Sequence, residues 1–205
     1  MVGPPGSGKT TVGRKLAASL EVPFVELDAI FHQPGWAELS RDNFRERVSD
    51  ALAARGWVVD GNYYSAVRDL VWDRADTVVW LDLGRWLVMR RVVLRTVRRA
   101  VTRERLWNGN REPLTSLYRL NPEKNIISWT WVKYPAYVAR YGAAMRDPAY
   151  NHLRFLRLRT AHEIGWFLAS ACRPANERTS PSSACSPARS RSPPWPPASG
   201  SSSSR

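Results

Sequence analysis

Cysteine is scarce in this chain: its 205 residues hold two, Cys172 and Cys185, close together and without metal-ligand spacing. That excludes a cysteine-ligated metal centre and fits a reducing compartment. Long apolar runs are missing, so no segment reads as a membrane span, and no secretory leader is legible. Together these absences predict a cytoplasmic protein with no membrane partner. Acidic residues are also few, 18 against 31 lysines and arginines, for a net charge of +13. Lysine itself is rare, 4 against 27 arginines, so coding bias competes with a demand for guanidinium chemistry as the reason for each arginine. The excess is local. Residues 85–119 carry ten arginines against Glu104 and Glu112, and residues 173–205 carry five against Glu177. Leu, Ile and Val are absent from residues 174–205, where Ser and Pro dominate, so that stretch cannot bury enough apolar area to offset chain entropy. Residues 172–205 are expected to form a disordered tail, whose abrupt onset resembles an out-of-frame extension.

What is present is dominated by residues 3–10, Gly-Pro-Pro-Gly-Ser-Gly-Lys-Thr. The spacing of Gly3 and Gly8, followed by Lys9 and Thr10, fits the phosphate-binding loop. Glycines at 3, 6 and 8 let successive backbone N–H groups turn inward as an anion nest, with Pro4, Pro5 and Ser7 between them. Lys9 adds a cation, which attracts a phosphate oxygen by about 4 kcal/mol at an effective dielectric near 20, before desolvation. Thr10 supplies a hydroxyl for Mg²⁺, and Thr11 opens a helix with Val12, Leu16, Ala17 and Leu20 on one face, placing the nest at a helix N-terminus. ATP and Mg²⁺ are the expected ligands. Only Met1 and Val2 precede Gly3, too few for a strand of roughly five residues, so the first strand is expected to be truncated and the sheet weak at its centre.

Strands are predicted at 24–27, ending at Asp28; at 57–59, ending at Asp60 and turning at Gly61-Asn62; at 77–83; and at 154–158. Helices are predicted at 40–54 with Ser40 as N-cap, from Arg85 to about Ala100, from Pro122 to about Met145 with a bend near Pro135, and at 160–171. Residues 102–121 lose apolar periodicity, gain Asn108-Gly109-Asn110, and read as a lid insertion. The alternation predicts a parallel α/β sheet wrapped on both faces over residues 1–171.

Ligands of such sheets bind at the carboxyl ends of strands, where Asp28 and Asp60 fall. Asp60, after three apolar residues and before Gly61, is the expected second Mg²⁺-organising group; Asp82 is its rival, with a turn or helix-terminus role as the plainer reading. Asp28 is read as the base for an acceptor hydroxyl or as a holder of a cationic or hydroxylated part of the substrate. His32 is given a structural role, and Trp36 a core role in preference to stacking on substrate. On the 85–100 helix, Arg91, Arg95, Arg98 and Arg99 are spaced to share a face that leads to Arg103, Arg105 and Arg111. Guanidinium groups there can bridge the charge that develops in phosphoryl transfer, an effect of roughly 10³ to 10⁵ in rate. Arg95, Arg99 and Arg103, with Lys9 and Asp28, are the catalytic candidates.

The phosphate loop, Leu27-Asp28, Val58-Val59-Asp60-Gly61-Asn62-Tyr63, Leu81-Asp82-Leu83 and the arginine-rich lid together resemble the adenylate kinase-like group of phosphate-loop kinases. The Asp-Gly-Asn-Tyr turn, Pro34-Gly35-Trp36 and the run from Leu106 to Glu112 resemble, within it, the bacterial FlaR-type DNA topology modulation proteins. The resemblance implies a three-layer P-loop NTPase fold like that of nucleoside monophosphate kinases, with a five-stranded parallel sheet and a helical lid that closes over ATP and Mg²⁺. The arginine that adenylate kinases carry after their Asp-Gly turn is absent, with Arg68 as a substitute, and Leu27-Asp28 is instead similar to shikimate and gluconate kinases, whose acceptors are hydroxyl groups. The expected activity is transfer of the γ-phosphoryl group of ATP to a nucleoside monophosphate or hydroxylated metabolite, by a monomer or homodimer. A nucleotide-binding regulator that contacts DNA is the alternative, and an arginine block with a basic tail binds nucleic acid without sequence preference.

Overall fold

Strand β3, Thr77–Leu81, is buried from Val78 onward, and its side chains alternate between two cores. Val79 and Leu81 pack with Val12 and Leu158 against Ile164, Phe167 and Leu168. Val78 and Trp80 face the other way, into a cluster with Trp72, Tyr137 and Tyr141. A strand covered on both faces reads as a continuous apolar run, as this one does. The computed structural model describes residues 1–111 and 125–171, all within one compact unit, Met1–Arg173. The elements in chain order are helix α1 (Lys9–Leu20), β1 (Phe24–Glu26), α2 (Leu27–Phe31), α3 (Arg41–Ala51), β2 (Val58–Asp60), α4 (Tyr64–Trp72), β3, α5 (Arg85–Thr102), α6 (Ile126–Ala144), β4 (Arg154–Leu158) and α7 (Ala161–Ala171).

Among the described residues the strands form two parallel pairs, β1 with β2 and β3 with β4, and not the continuous five-stranded sheet that was expected. Met1 and Val2 lie between the pairs. The Met1 amine donates to the Val59 carbonyl at 2.7 Å. Val2 N–H donates to Val79 O at 2.9 Å, and Leu81 N–H to Val2 O at 3.0 Å, making a single parallel bridge to Trp80. Two residues supply too few hydrogen bonds to count as a strand, although they follow the direction one would take. Helices α1 and α7 cover one side, where Leu16, Ala17 and Val58 meet Phe24 and Phe167; α3 and α4 cover the other, where Phe44, Val48 and Leu52 meet Val25, Val59 and Val67.

Several boundaries depart from expectation. β1 stops at Glu26, and Asp28 sits inside α2 rather than at a strand end. Helix α4 was not anticipated: Tyr64, Val67, Val71 and Trp72 give it a helical apolar face, but the preceding Gly-Asn turn and its aromatic content obscure it. Ser40 does cap α3, its hydroxyl accepting from Asn43 N–H at 3.3 Å. Helix α6 begins at Ile126, capped by Asn125, and contains Pro135. Pro122, the rest of the predicted lid beyond Arg111 and the entire predicted tail lie outside the described residues.

Candidate functional site

The phosphate loop curls between β3 and α5. Gly3 and Gly6 have φ of 139° and 80°, and each passes too close to its neighbours for a side chain. A Cβ on Gly3 would lie 2.6 Å from Leu81 O, and one on Gly6 2.5 Å from Val92 Cγ2. Gly8 is the N-cap of α1, so the helix N-terminus opens onto the loop. The loop's entry is clamped by Asn62: its amide donates to Gly3 O at 2.7 Å and accepts from Gly3 N–H at 3.3 Å. Tyr141 on α6 donates to the same Asn62 oxygen at 2.9 Å. The Asp-Gly-Asn-Tyr turn was visible in sequence, but its asparagine as the loop's clamp was not.

Lys9, Thr10 and Asp60 come together here. Thr10 Oγ1 donates to Asp60 Oδ2 at 2.5 Å, joining the first turn of α1 to the end of β2. Asp60 is only 4% exposed, and its other oxygen, Oδ1, is buried without a hydrogen-bond partner. An ionised carboxylate is costly to bury with an unanswered oxygen, so this atom marks a place where a cation is due. One carboxylate and one hydroxyl are hard oxygen donors of the kind Mg²⁺ uses with waters and phosphate oxygens, and no cluster of three or more His, Cys, Asp or Glu suited to a softer metal exists among the described residues. Lys9 Nζ donates to Pro4 O at 3.2 Å. Burial pushes its pKa below the ordinary lysine value, while Asp60 and Asp28 pull it back up and Arg95 adds to the lowering. Ser7 Oγ is fully buried and unpartnered within the same loop. Asp82 has other work: Arg157 donates to its Oδ2 through Nε at 2.8 Å and Nη2 at 2.6 Å, with Arg159 at 3.6 Å.

The arginines of α5 divide. Arg91 Nη1 reaches Ser7 O at 3.4 Å, and the charge of Arg95 is felt at Lys9. Arg91, Arg95 and Arg99 are half-buried. Arg98 departs from the predicted shared face: it is exposed and pairs with Glu104 at 3.1 Å. Arg103 is exposed just beyond the helix, at a φ of 49°. Arg68 is not available in the role of the missing adenylate kinase arginine. It donates to Tyr64 OH at 2.8 Å and stacks over the Tyr64 and Tyr150 rings.

Across from the loop, Asp28 Oδ1 accepts from Tyr63 OH at 2.8 Å. Burial, then the Asp28 charge and hydrogen bond, push the Tyr63 pKa far above the ordinary tyrosine value, so this phenol stays a donor. Its ring packs on Phe31 and Phe44. The run from Leu106 to Arg111 docks onto the neighbouring loop. Asn108 donates to Ala29 O at 3.1 Å and to His32 O at 2.5 Å; Asn110 donates to Gln33 O at 2.9 Å and accepts from Trp36 N–H at 3.0 Å; Trp36 Nε1 donates to Arg111 O at 3.0 Å. His32, Trp36 and Trp107 meet ring to ring at 5.3 to 6.3 Å. His32 and Trp36, read from sequence as structural and core residues, are parts of this joint.

Residues 5–120, more than half of the chain, match the family described as "SKI: Shikimate kinase". The chain is 37% identical over 112 residues to the shikimate kinase of Corynebacterium diphtheriae, covering 48% of this chain and 64% of that protein. It is 34% identical over 98 residues to that of Corynebacterium efficiens (41% and 57%) and 39% identical over 54 residues to that of Haemophilus influenzae (23% and 30%). The chain thus spans 64% or less of the length of these relatives. The comparisons bear out the adenylate kinase-like resemblance on its shikimate side and give no support to closeness with the FlaR-type group. The paired parallel strands flanked by helices are the α/β architecture of a P-loop NTPase, and the chain belongs to the shikimate kinase family.

Proposed function

We propose that this chain is an ATP- and Mg²⁺-dependent kinase that phosphorylates a hydroxyl group of a small metabolite. The observation that carries the reading is the meeting of Lys9, Thr10 and Asp60 at a glycine loop that opens onto a helix N-terminus. Inward N–H groups and an ammonium suit a polyphosphate, and a hydroxyl beside a carboxylate suits a hard cation.

The residues divide the work by place. Backbone N–H groups from Gly6 to Thr11, Ser7 apart, and the Lys9 ammonium would hold the β- and γ-phosphates, since Pro4 and Pro5 have no N–H and those of Gly3 and Ser7 go to Asn62 and Pro4. Thr10 and Asp60 would hold Mg²⁺, which neutralises charge building on the phosphate oxygens. Arg91, whose guanidinium reaches Ser7 O, and Arg95, whose charge is felt at Lys9, would meet the transferring group; Arg99 follows on the same helix and Arg103 just beyond its end. Asp28, with Oδ1 held by Tyr63, has Oδ2 left to take the acceptor hydroxyl proton as the new P–O bond forms and ADP departs. Positioning and charge neutralisation account for most of the rate in such chemistry. The relatives' name makes shikimate the first acceptor to try.

Lys9→Ala tests the reading. ADP release should fall by about 10³-fold or more while the circular dichroism spectrum is retained. Wild-type turnover in that variant would eliminate the kinase.

A further inference from the structure

Resting on the kinase reading, we propose that the turn 60–63 registers the two halves of the site against each other, with Asn62 and Tyr63 as its positioning residues: the first fixes the phosphate loop, the second the acceptor base.

Each residue of that turn has a different partner. Asp60 ends β2, in register with Glu26 of β1, and takes the Thr10 hydroxyl at 2.5 Å. Gly61 lies flat against the residue before Asp28, where an added Cβ would stand 2.8 Å from Leu27 Cβ. Asn62 turns both ends of its amide to Gly3, at 2.7 and 3.3 Å, and its oxygen also takes the Tyr141 hydroxyl at 2.9 Å. Tyr63 donates to Asp28 Oδ1 at 2.8 Å, its ring set between Phe31 and Phe44 with centroids 4.9 and 5.0 Å away. Two side chains and one peptide therefore join Gly3 to Asp28, and neighbouring Cα atoms across a trans peptide are about 3.8 Å apart.

The residue types suit the task. An amide can donate to and accept from one backbone residue at once, which neither a carboxylate nor an aliphatic side chain can do. Burial pushes the Tyr63 and Tyr141 phenols above the ordinary tyrosine value, so both stay donors. In the transfer step the acceptor hydroxyl gives its proton to Asp28 Oδ2, its oxygen bonds the γ-phosphorus, and the bond to the bridging oxygen breaks as ADP leaves. The two reactants sit on different segments of chain, and an offset of about 1 Å between them costs on the order of 10² in rate. A short, fully engaged turn that touches both segments limits that offset.

The test is a double-substitution cycle in the full chain, Tyr63→Phe and Asn62→Ala, with ATP, Mg²⁺ and shikimate, gluconate or adenosine monophosphate as acceptor. Transfer, acceptor-free ADP release and ATP affinity are read. Tyr63→Phe keeps the ring packing and removes only the hydroxyl. Its kcat for transfer should fall about tenfold, with acceptor KM and ATP affinity within about twofold, and the ratio of transfer to acceptor-free release should fall with it. Asn62→Ala should lower that ratio similarly. In the double variant the second substitution should cost less than about threefold, because a register already released is not released twice. Losses that multiply to about a hundredfold overturn the shared register and leave the kinase reading intact. So does a Tyr63→Phe variant in which transfer and acceptor-free release fall together or not at all, and that variant decides alone if Asn62→Ala fails to fold. A wild-type chain that binds ATP and transfers to none of the three acceptors overturns both.

Discussion

The phosphate loop takes its residues from one run of chain, Gly3 to Thr11, and borrows Asp60 and Asn62 from the end of β2, whereas the joint beside Asp28, the proposed acceptor side, is built from segments 74 to 79 residues apart. The first is a backbone structure held open by glycine conformation. The second is a side-chain structure in which Asn108, Asn110 and Trp36 bind backbone groups of another segment. At Gly3 and Gly6 the nest has no room for an added atom; a side-chain joint loses its parts one hydrogen bond at a time.

The largest break in that contrast is Gly6→Ala. Its Cβ would strike Val92 Cγ2 at 2.5 Å and Val88 O at 2.9 Å, at a φ of 80° that L residues rarely adopt. Strain of about 1–3 kcal/mol is expected in the folded state, and the nest moves with it. ATP affinity should fall by more than tenfold and the thermal midpoint by several degrees, read by calorimetry and by differential scanning. Unaltered ATP binding would show that α5 does not shape the loop.

A smaller effect is expected from Asn110→Ala on the acceptor side. Asn110 is 5% exposed, and its loss leaves Trp36 N–H and Gln33 O without those partners, costing about 1–3 kcal/mol. Because the joint borders Asp28 and not Lys9, acceptor KM should rise while ATP affinity stays within about twofold. Equal losses on both sides would merge the two regions into one unit.

Least affected will be Asp69→Asn. Arg45 holds the Asp69 pKa down at about 2 from an ordinary 3.8. A carboxylate lowered on folding stabilises the fold above its unfolded pKa, and that contribution is lost as pH falls from about 4 toward 2. The group is largely exposed, so its share is below about 1 kcal/mol. Urea unfolding at pH 7 and pH 3 should show a small deficit in the variant at pH 7 that narrows to roughly half at pH 3. A deficit that widens in acid would reverse the sign.

These regions also differ in how far they could be read from sequence. Gly3 to Thr11 declares itself because a nest needs specific residues at fixed spacing along one segment. β3 was legible because burial on both faces leaves an unbroken apolar run from Val78 to Leu81. Asp28 was expected at a strand end and stands inside α2, since three residues of β1 give no signal for where it stops. Asn108 and Asn110 read from sequence as part of a lid insertion, because asparagine beside glycine ordinarily marks a loop. Their partners, Ala29 and Gln33, are backbone groups and leave no trace in residue type. The predicted arginine face failed at Arg98 because spacing along a helix cannot tell which flank meets the loop and which meets Glu104.

Titration of the full chain with ATP by calorimetry, with and without Mg²⁺ and in wild type and Asp60→Asn, tests most directly whether the unpartnered Asp60 oxygen awaits a metal-bound nucleotide. Binding should appear with ATP and Mg²⁺, weaken by about tenfold or more when Mg²⁺ is withheld, and lose that dependence in Asp60→Asn. No heat from the wild type, or a Mg²⁺ dependence untouched by the substitution, would contradict the site.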